Sequence, residues 1–304
     1  MSHLLKSRSR NSAFTLIELL VVIAIIGVLV SLTSVGVMKI LNRGQMVAAR
    51  TEISQLEAAI AAAKQNFGNV DNLPSIIELY SNGPNFQAAA NATNMAGLPS
   101  NPNTRNTFNF FTKVFGKNWY AATTIPWLGS SPSLLPATYS ASPKQLLGME
   151  ALVFLLGGYA DVPNLNDPPN FRGFSSNPLN PMDVTNPKYK TKGPFYEFKQ
   201  KQIVPGIIYY TMLNNSGGSY AYFSSADYSN ALLNPLLVIS PYHKTASGTA
   251  TASSYYNAKT FQLISSGQDK TFGPGGYYNP PYTIGQSVFD DIANFSALQL
   301  GVGE

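Results

Sequence analysis

Glu18 is a single carboxylate set inside an apolar run that extends from Phe14 to Val37, FTLIELLVVIAIIGVLVSLTSVGV. A charge so deep in an apolar helix costs roughly 2.5–3.5 kcal/mol on insertion scales, so it implies a function and a partner. Cleavage between Ala13 and Phe14 would create that partner, a positive amine on Phe14. When such helices bundle, the carboxylate of one copy neutralises the terminal amine of the next, and at low dielectric the pair sets register.

The rest of the chain offers little for catalysis. His3 and His243 are the two histidines, and cysteine is absent, so paired-His zinc sites beyond the leader, thiolate ligands, disulfides and a Cys nucleophile are excluded. No G-x-S-x-G elbow, Walker loop or dinucleotide fingerprint occurs, and the Gly-rich GPGGYY reads as a loop. Glu78, Glu150, Asp161 and Glu197 are carboxylates that a fold could bring together for glycoside hydrolysis. The expectation is a chain that is not an enzyme.

The elements that must position Glu18 begin with a basic leader. Lys6, Arg8 and Arg10 precede the apolar run with no acidic residue among them, and from Leu19 to Val30 no residue is polar. Phe14 to Val37 gives roughly 24 residues, enough to cross about 30 Å of hydrocarbon as a helix. The positive-inside rule then leaves the leader in the cytoplasm and the rest outside. A secretory signal peptide shares this layout, but the apolar run exceeds the usual h-region and lacks a clear A-x-A site. An ordinary signal anchor has the same hydropathy.

Beyond the apolar run, Ile53, Leu56, Ile60, Ala63 and Phe67 recur at spacings of three and four, with Arg50, Glu52, Glu57 and Lys64 expected on other faces. Gly68 is a natural C-cap. One helix over 14–68 is expected, apolar over about 14–37 and amphipathic over about 38–68. A plain coiled-coil stalk would show the same stripe.

Net charge is +5; without the three leader cations, 17 basic groups face 15 acidic ones, a balance of +2. No basic stripe remains to track phosphates, so nucleic acid is not expected as a partner. Charged residues are 12% of the chain, about half the usual share, and Asn, Ser, Thr, Tyr and Gly must solvate the central surface. That composition suits an extracytoplasmic protein.

The segment Ala13-Phe14-Thr15-Leu16-Ile17-Glu18-Leu19-Leu20 resembles the processing site of type IV prepilins and pseudopilins. The resemblance implies cleavage by prepilin peptidase between Ala13 and Phe14, N-methylation of Phe14, and assembly through Glu18. It departs from the family at Ala13, where Gly is usual, and at Val35, where many members carry a kinking Pro. The implied protein is a structural subunit of a type II secretion pseudopilus or related filament. Its implied partners are prepilin peptidase, other pseudopilins and the inner-membrane assembly machinery. It would be a single-pass inner-membrane protein with its N-terminus cytoplasmic and its C-terminal part periplasmic. The alternatives are a pilus subunit for adhesion, motility or DNA uptake, and a membrane-anchored binding ectodomain that never polymerises.

The resemblance also implies an α+β fold, a long N-terminal transmembrane and amphipathic helix packed on a small antiparallel sheet. Residues 1–13 are the leader and 14–68 the helix. Residues 69–202 form a loop-rich insertion, dense in turn formers such as NGPNF and SNPNTRN. One helix is expected near 143–156, with Ser142 as N-cap, Pro143 first, and an apolar run from Leu146 to Leu156. Phe108, Phe110, Phe111, Trp119, Tyr120 and Trp127 are read as core, with a partner surface as the competing role. Residues 203–304 read as strands and turns, in IVPGIIYYTML, SYAYFSS, PLLVISPY and KTFQLISSG.

FQLISSGQDKTFG followed by SVFDDIANFS resembles the calcium-binding loop of major pseudopilins. The ligand set so implied for Ca²⁺ is Asp269, Asp290 and Asp291, the Ser266 hydroxyl and a backbone carbonyl near Leu263, since a hard cation takes six to eight oxygens. Lys270, in place of the usual Gly, and the long stretch Thr271–Val288 depart from the pattern. A solvated acidic turn with Lys270 as counter-charge is the other reading.

Overall fold

The computed structural model describes residues 15–127, 143–161, 169–198, 220–228, 239–245, 250–267, 271–273, 275–278, 291–297 and 300, and within helix α1 the side chains of 32–43 and 45 are not described. The chain divides into two compact units, Met1–Gln45 and Met46–Glu304. The boundaries drawn at 68/69 and 202/203 from sequence fall inside the second unit.

Helix α1 spans Leu16–Asn66 and runs helical through Val35 and Gly36. In the second unit its buried apolar residues are Ala49, Ile53, Leu56, Ile60 and Ala63, continued by Phe67 just past its end and joined by Ala59. The alternating steps of four and three keep these side chains on one stripe, which is why this stretch packs as a helix. The chain leaves the helix at Gly68, whose φ of 83° no β-carbon residue adopts readily, and the Gly68 amide donates to the Gln65 carbonyl at 3.2 Å. Glu52 departs from expectation. It is buried rather than solvated, its Oε2 accepting from the Tyr220 hydroxyl at 2.7 Å and its Oε1 from the Tyr196 hydroxyl at 3.2 Å. Two tyrosines from the following chain thus replace the water a surface glutamate would use. Its burial and the adjacent charge push the Tyr196 hydroxyl pKa upward.

Strand β1, Ile76–Leu79, pairs antiparallel with β2, Lys144–Leu147, in the register Ile76↔Leu147 to Leu79↔Lys144. The helix expected near 143–156 is therefore shorter than its apolar run suggests: α4 covers Met149–Gly157 and the residues before it are strand. Apolar runs do not by themselves separate a buried strand from a buried helix. Gly148, at φ 54°, makes the break; its amide bonds the Ser75 carbonyl at 2.7 Å and its carbonyl receives the Leu152 amide at 3.1 Å. Helix α4 is buried from Ala151 to Gly157, hydrophobic all round as a core helix must be.

Two further helices stand where sequence suggested loops, α2 at Gly83–Asn91 and α3 at Pro102–Phe115. Each starts with an Asn N-cap followed by Pro in the first turn: Asn82 accepts from the Asn85 amide, and Asn101 from the amides of Asn103 and Thr104. The turn formers were helix starts. These helices bury Phe86, Phe108 and Phe111 beside Trp119 and Trp127, with Phe110 and Tyr120 half-buried, so the central aromatics are core rather than a binding surface. Trp127 and Phe111 stack at 4.9 Å between ring centroids, and the Trp127 indole N–H donates to the Tyr80 carbonyl at 2.7 Å.

Three short antiparallel units and one parallel pair complete the unit. Strand β3, Ala160–Asp161, pairs with β4, Asn170–Phe171, and β5, Phe174–Ser175, pairs with β6, Thr191–Lys192. The three-stranded sheet has the order β11-β9-β7, where β7 is Tyr220–Ser224, β9 Phe261–Ser265 and β11 Ile292–Ala293. The remaining pair is parallel, β8 at Tyr242–His243 with β10 at Gly276–Tyr277. The strand expected in IVPGIIYYTML and the first half of PLLVISPY lie outside the described residues.

The three-stranded sheet separates two apolar clusters. Tyr220, Tyr222, Leu263 and Ile292 face the cluster built on α1 and α4, whereas Ala221, Phe223, Ile264 and Ala293 face a second cluster with Ile239, Tyr242 and Tyr278. Alternate residues point to opposite faces of a strand, and here both faces are covered. That accounts for the absence of polar alternation in YAYF and FQLIS.

Candidate functional site: the N-terminal segment

Ala13 and Phe14 lie outside the described residues. The described part of the site starts at Thr15, the residue before α1, and Glu18 in its first turn. The Glu18 Oε2 accepts from the Thr15 amide at 2.8 Å and from the Thr15 hydroxyl at 2.8 Å, while the Glu18 amide donates to Thr15 Oγ1 at 3.3 Å. This is a capping box, in which the side chains at N-cap and N3 satisfy each other's backbone donors. The signal was present as T-x-x-E immediately before an apolar run, and the reading of Glu18 as an assembly residue passed over it. Glu18 consequently has a local role, fixing where α1 begins, before any contact between copies is considered.

From Leu16 to Val30 the large apolar side chains are exposed on every face of α1, from 46% at Val22 to 81% at Leu16. A helix that is apolar all round belongs inside something apolar. Among the described residues no helix is long and apolar enough to cross a membrane. The stretch with described side chains ends at Ser31, short of the about 20 residues a crossing helix needs.

Of the four carboxylates considered for hydrolysis, Glu78, Asp161 and Glu150 have partners within the fold. Glu78, buried in β1, accepts from Asn101 Nδ2 at 2.9 Å, from Gln145 Nε2 at 3.3 Å and from the Thr104 hydroxyl. It sits beside the N-terminus of α3, where unpaired amides favour negative charge. Asp161 pairs with Arg172 at 2.8 Å, Glu150 receives the Leu147 amide at 3.4 Å in the first turn of α4, and Glu197 is exposed. Burial pushes the Glu150 carboxyl pKa up.

At the C-terminal end, the pairing Ile292↔Ser265 sets Asp291 across from Ser266, so two of the residues implied for calcium are neighbours. Both are fully buried. Asp291 Oδ2 accepts from the Gly273 amide at 2.9 Å and the Tyr242 hydroxyl at 3.2 Å, clasping the loop to β8. The Leu263 carbonyl, further along β9, accepts from the Asn294 amide at 3.0 Å. Asp269 and Asp290 lie outside the described residues, and among the described ones no three acidic or histidine side chains form a metal-sized group.

A buried carboxylate that sequence reasoning did not single out is Asp227, just after β7. Its Oδ2 accepts from the Ser75 amide at 2.7 Å and the Ser75 hydroxyl at 2.9 Å, fastening the sheet to the segment before β1. Burial raises its pKa, against the lowering effect of those hydrogen bonds.

The family model for the prokaryotic N-terminal methylation motif matches residues 8–34. That span holds the basic residues Arg8 and Arg10, the Ala13–Phe14 junction, the capping box and most of the apolar run, and it marks the N-terminal segment as type IV pilin-like. No curated protein and no solved structure matches the chain.

Proposed function

We propose that this chain is a structural subunit of a type II secretion pseudopilus or a related type IV pilus-like filament, with no catalytic role. Prepilin peptidase cuts between Ala13 and Phe14 and methylates the new amine. The mature chain is held in the inner membrane by its first helical turns, its C-terminal part outside the cytoplasm, until the assembly machinery moves it into a bundle with other subunits. The observation that carries this reading is the apolar surface of α1, exposed on every face, beginning directly after the processing motif with Glu18 as its one charge.

The chemistry follows from the helix terminus. Cleavage places a cation at the end of α1 where the macrodipole is already positive, which is unfavourable in an apolar medium. Glu18 offsets it, in its own chain or across to a neighbour. Capping and neutralisation are separable, because glutamine completes a capping box but carries no charge. Glu18→Gln should therefore lose assembly, read as crosslinking between subunits in the membrane, as fully as Glu18→Ala does. Wild-type crosslinking in Glu18→Gln would show that the cap alone matters and would remove the charge-neutralisation role.

Calcium is proposed on the resemblance of the C-terminal loop and on the register that sets Asp291 across from Ser266. Asp269 and Asp290 would complete the oxygen set, and bound Ca²⁺ would offset the repulsion between these carboxylates. Adding Ca²⁺ to chelator-treated protein should raise its melting temperature. Identical melts in Ca²⁺ and in chelator would eliminate the site.

A further inference from the structure

The loop between α2 and α3 presents Met95 fully exposed and Leu98 61% exposed. Its backbone is closed on itself. Thr93 and Pro99 form an antiparallel bridge, the Asn94 amide donates to the Leu98 carbonyl at 2.8 Å, Gly97 to the Asn94 carbonyl at 2.9 Å, and Ser100 to the Ala92 carbonyl at 3.0 Å. Asn94 Oδ1 takes up the amides of Ala96 and Leu98, each at 3.0 Å. Gly97, at φ 74°, permits the turn. No charged residue occurs between Glu78 and Arg105.

We propose that this tip is a membrane-contact element that inserts Met95 and Leu98 into the interfacial hydrocarbon of a lipid bilayer. Three observations favour lipid over a protein pocket. Unpaired backbone polar groups are costly in hydrocarbon, and four of the five amides from Asn94 to Leu98, those of Asn94, Ala96, Gly97 and Leu98, are paired within the loop. The surrounding segment is uncharged, which suits neutral hydrocarbon and offers nothing for charge-directed docking to a protein. Two side chains on a narrow loop fall far short of the ~800 Å² per partner that a stable protein interface buries. An ordered tip of this kind loses no loop entropy on insertion, and tethering elsewhere in the chain raises its effective concentration at the surface.

The proposal does not depend on polymerisation and is tested on the full chain. Because cysteine is absent, Ala96→Cys gives a unique attachment point for a fluorophore between the two apolar side chains, and Lys188→Cys, on an exposed turn, gives a control. In phosphatidylcholine vesicles, nitroxide placed on the acyl chains should quench the label at residue 96 and aqueous iodide should not. The label at 188 should show the reverse. Adding phosphatidylglycerol should change neither result, and Met95→Glu with Leu98→Glu should abolish lipid quenching at 96. Flotation of that double variant with vesicles reads the N-terminal segment separately from the tip. A label at 96 open to iodide in vesicles overturns the proposal. So does shielding that requires phosphatidylglycerol, or shielding that occurs equally without lipid at high protein concentration, which would mean a second copy covers the tip.

Discussion

Glu18 and Asp227 show how differently a carboxylate can be used in one chain. Glu18 sits at a helix start with donors supplied by Thr15. Asp227 is inside the second unit, with its pKa raised by burial. A raised folded-state pKa means that the folded chain holds the proton more firmly than the unfolded one. The contribution of Asp227 to stability is thus fully present below the unfolded value of about 3.9 and is lost as pH rises through the raised pKa. Glu150 acts in the same direction. Asp227→Asn keeps an oxygen for the Ser75 amide and hydroxyl while removing the charge. Denaturant melts across pH 4 to 7 should show a flatter stability profile for this variant, with stability at pH 7 at least equal to wild type. A clear loss at pH 7 with an unchanged slope would mean that the ionised form is the favoured one.

At the scale of elements, legibility followed periodicity and local termination signals. The stripe from Ile53 to Phe67 was readable because steps of three and four leave only one helical face, and Gly68 ended it by a conformation other residues avoid. Leu56 is fully buried on that stripe. Leu56→Ala should destabilise the second unit by about 2–5 kcal/mol, as removal of a core leucine does elsewhere; a loss under about 1 kcal/mol would show that α1 is peripheral to this core. The same logic explains what was missed. NGP and SNP carry turn-forming residues, yet each is an Asn cap with a first-turn proline. Leu146 and Leu147 entered a strand, because pairing with β1 and the positive φ of Gly148 are long-range and conformational facts that an apolar run does not display. Burial of Glu52 depended on Tyr196 and Tyr220, which arrive from distant parts of the chain.

For the whole molecule, two units with opposite solvent requirements share one polypeptide. The described side chains of the first unit up to Ser31 expose apolar surface on every face, while the second encloses two apolar clusters around a sheet covered on both sides. The processing motif was legible because its leader, junction, acid and apolar run are contiguous in sequence, and contiguity is what a family model of residues 8–34 also detects. The residues proposed for calcium come from two segments distant in sequence, and the nearness of Ser266 and Asp291 follows from the long-range pairing of β9 with β11. In the proposed function, processing creates the amine which Glu18 serves. The mass of the N-terminal peptide of protein purified from cells with active prepilin peptidase tests it directly. That chain should begin at Phe14 and carry one added methyl group on its amine, whereas in cells lacking the peptidase it should begin at Met1. A chain that still begins at Met1 when the peptidase is active would contradict it.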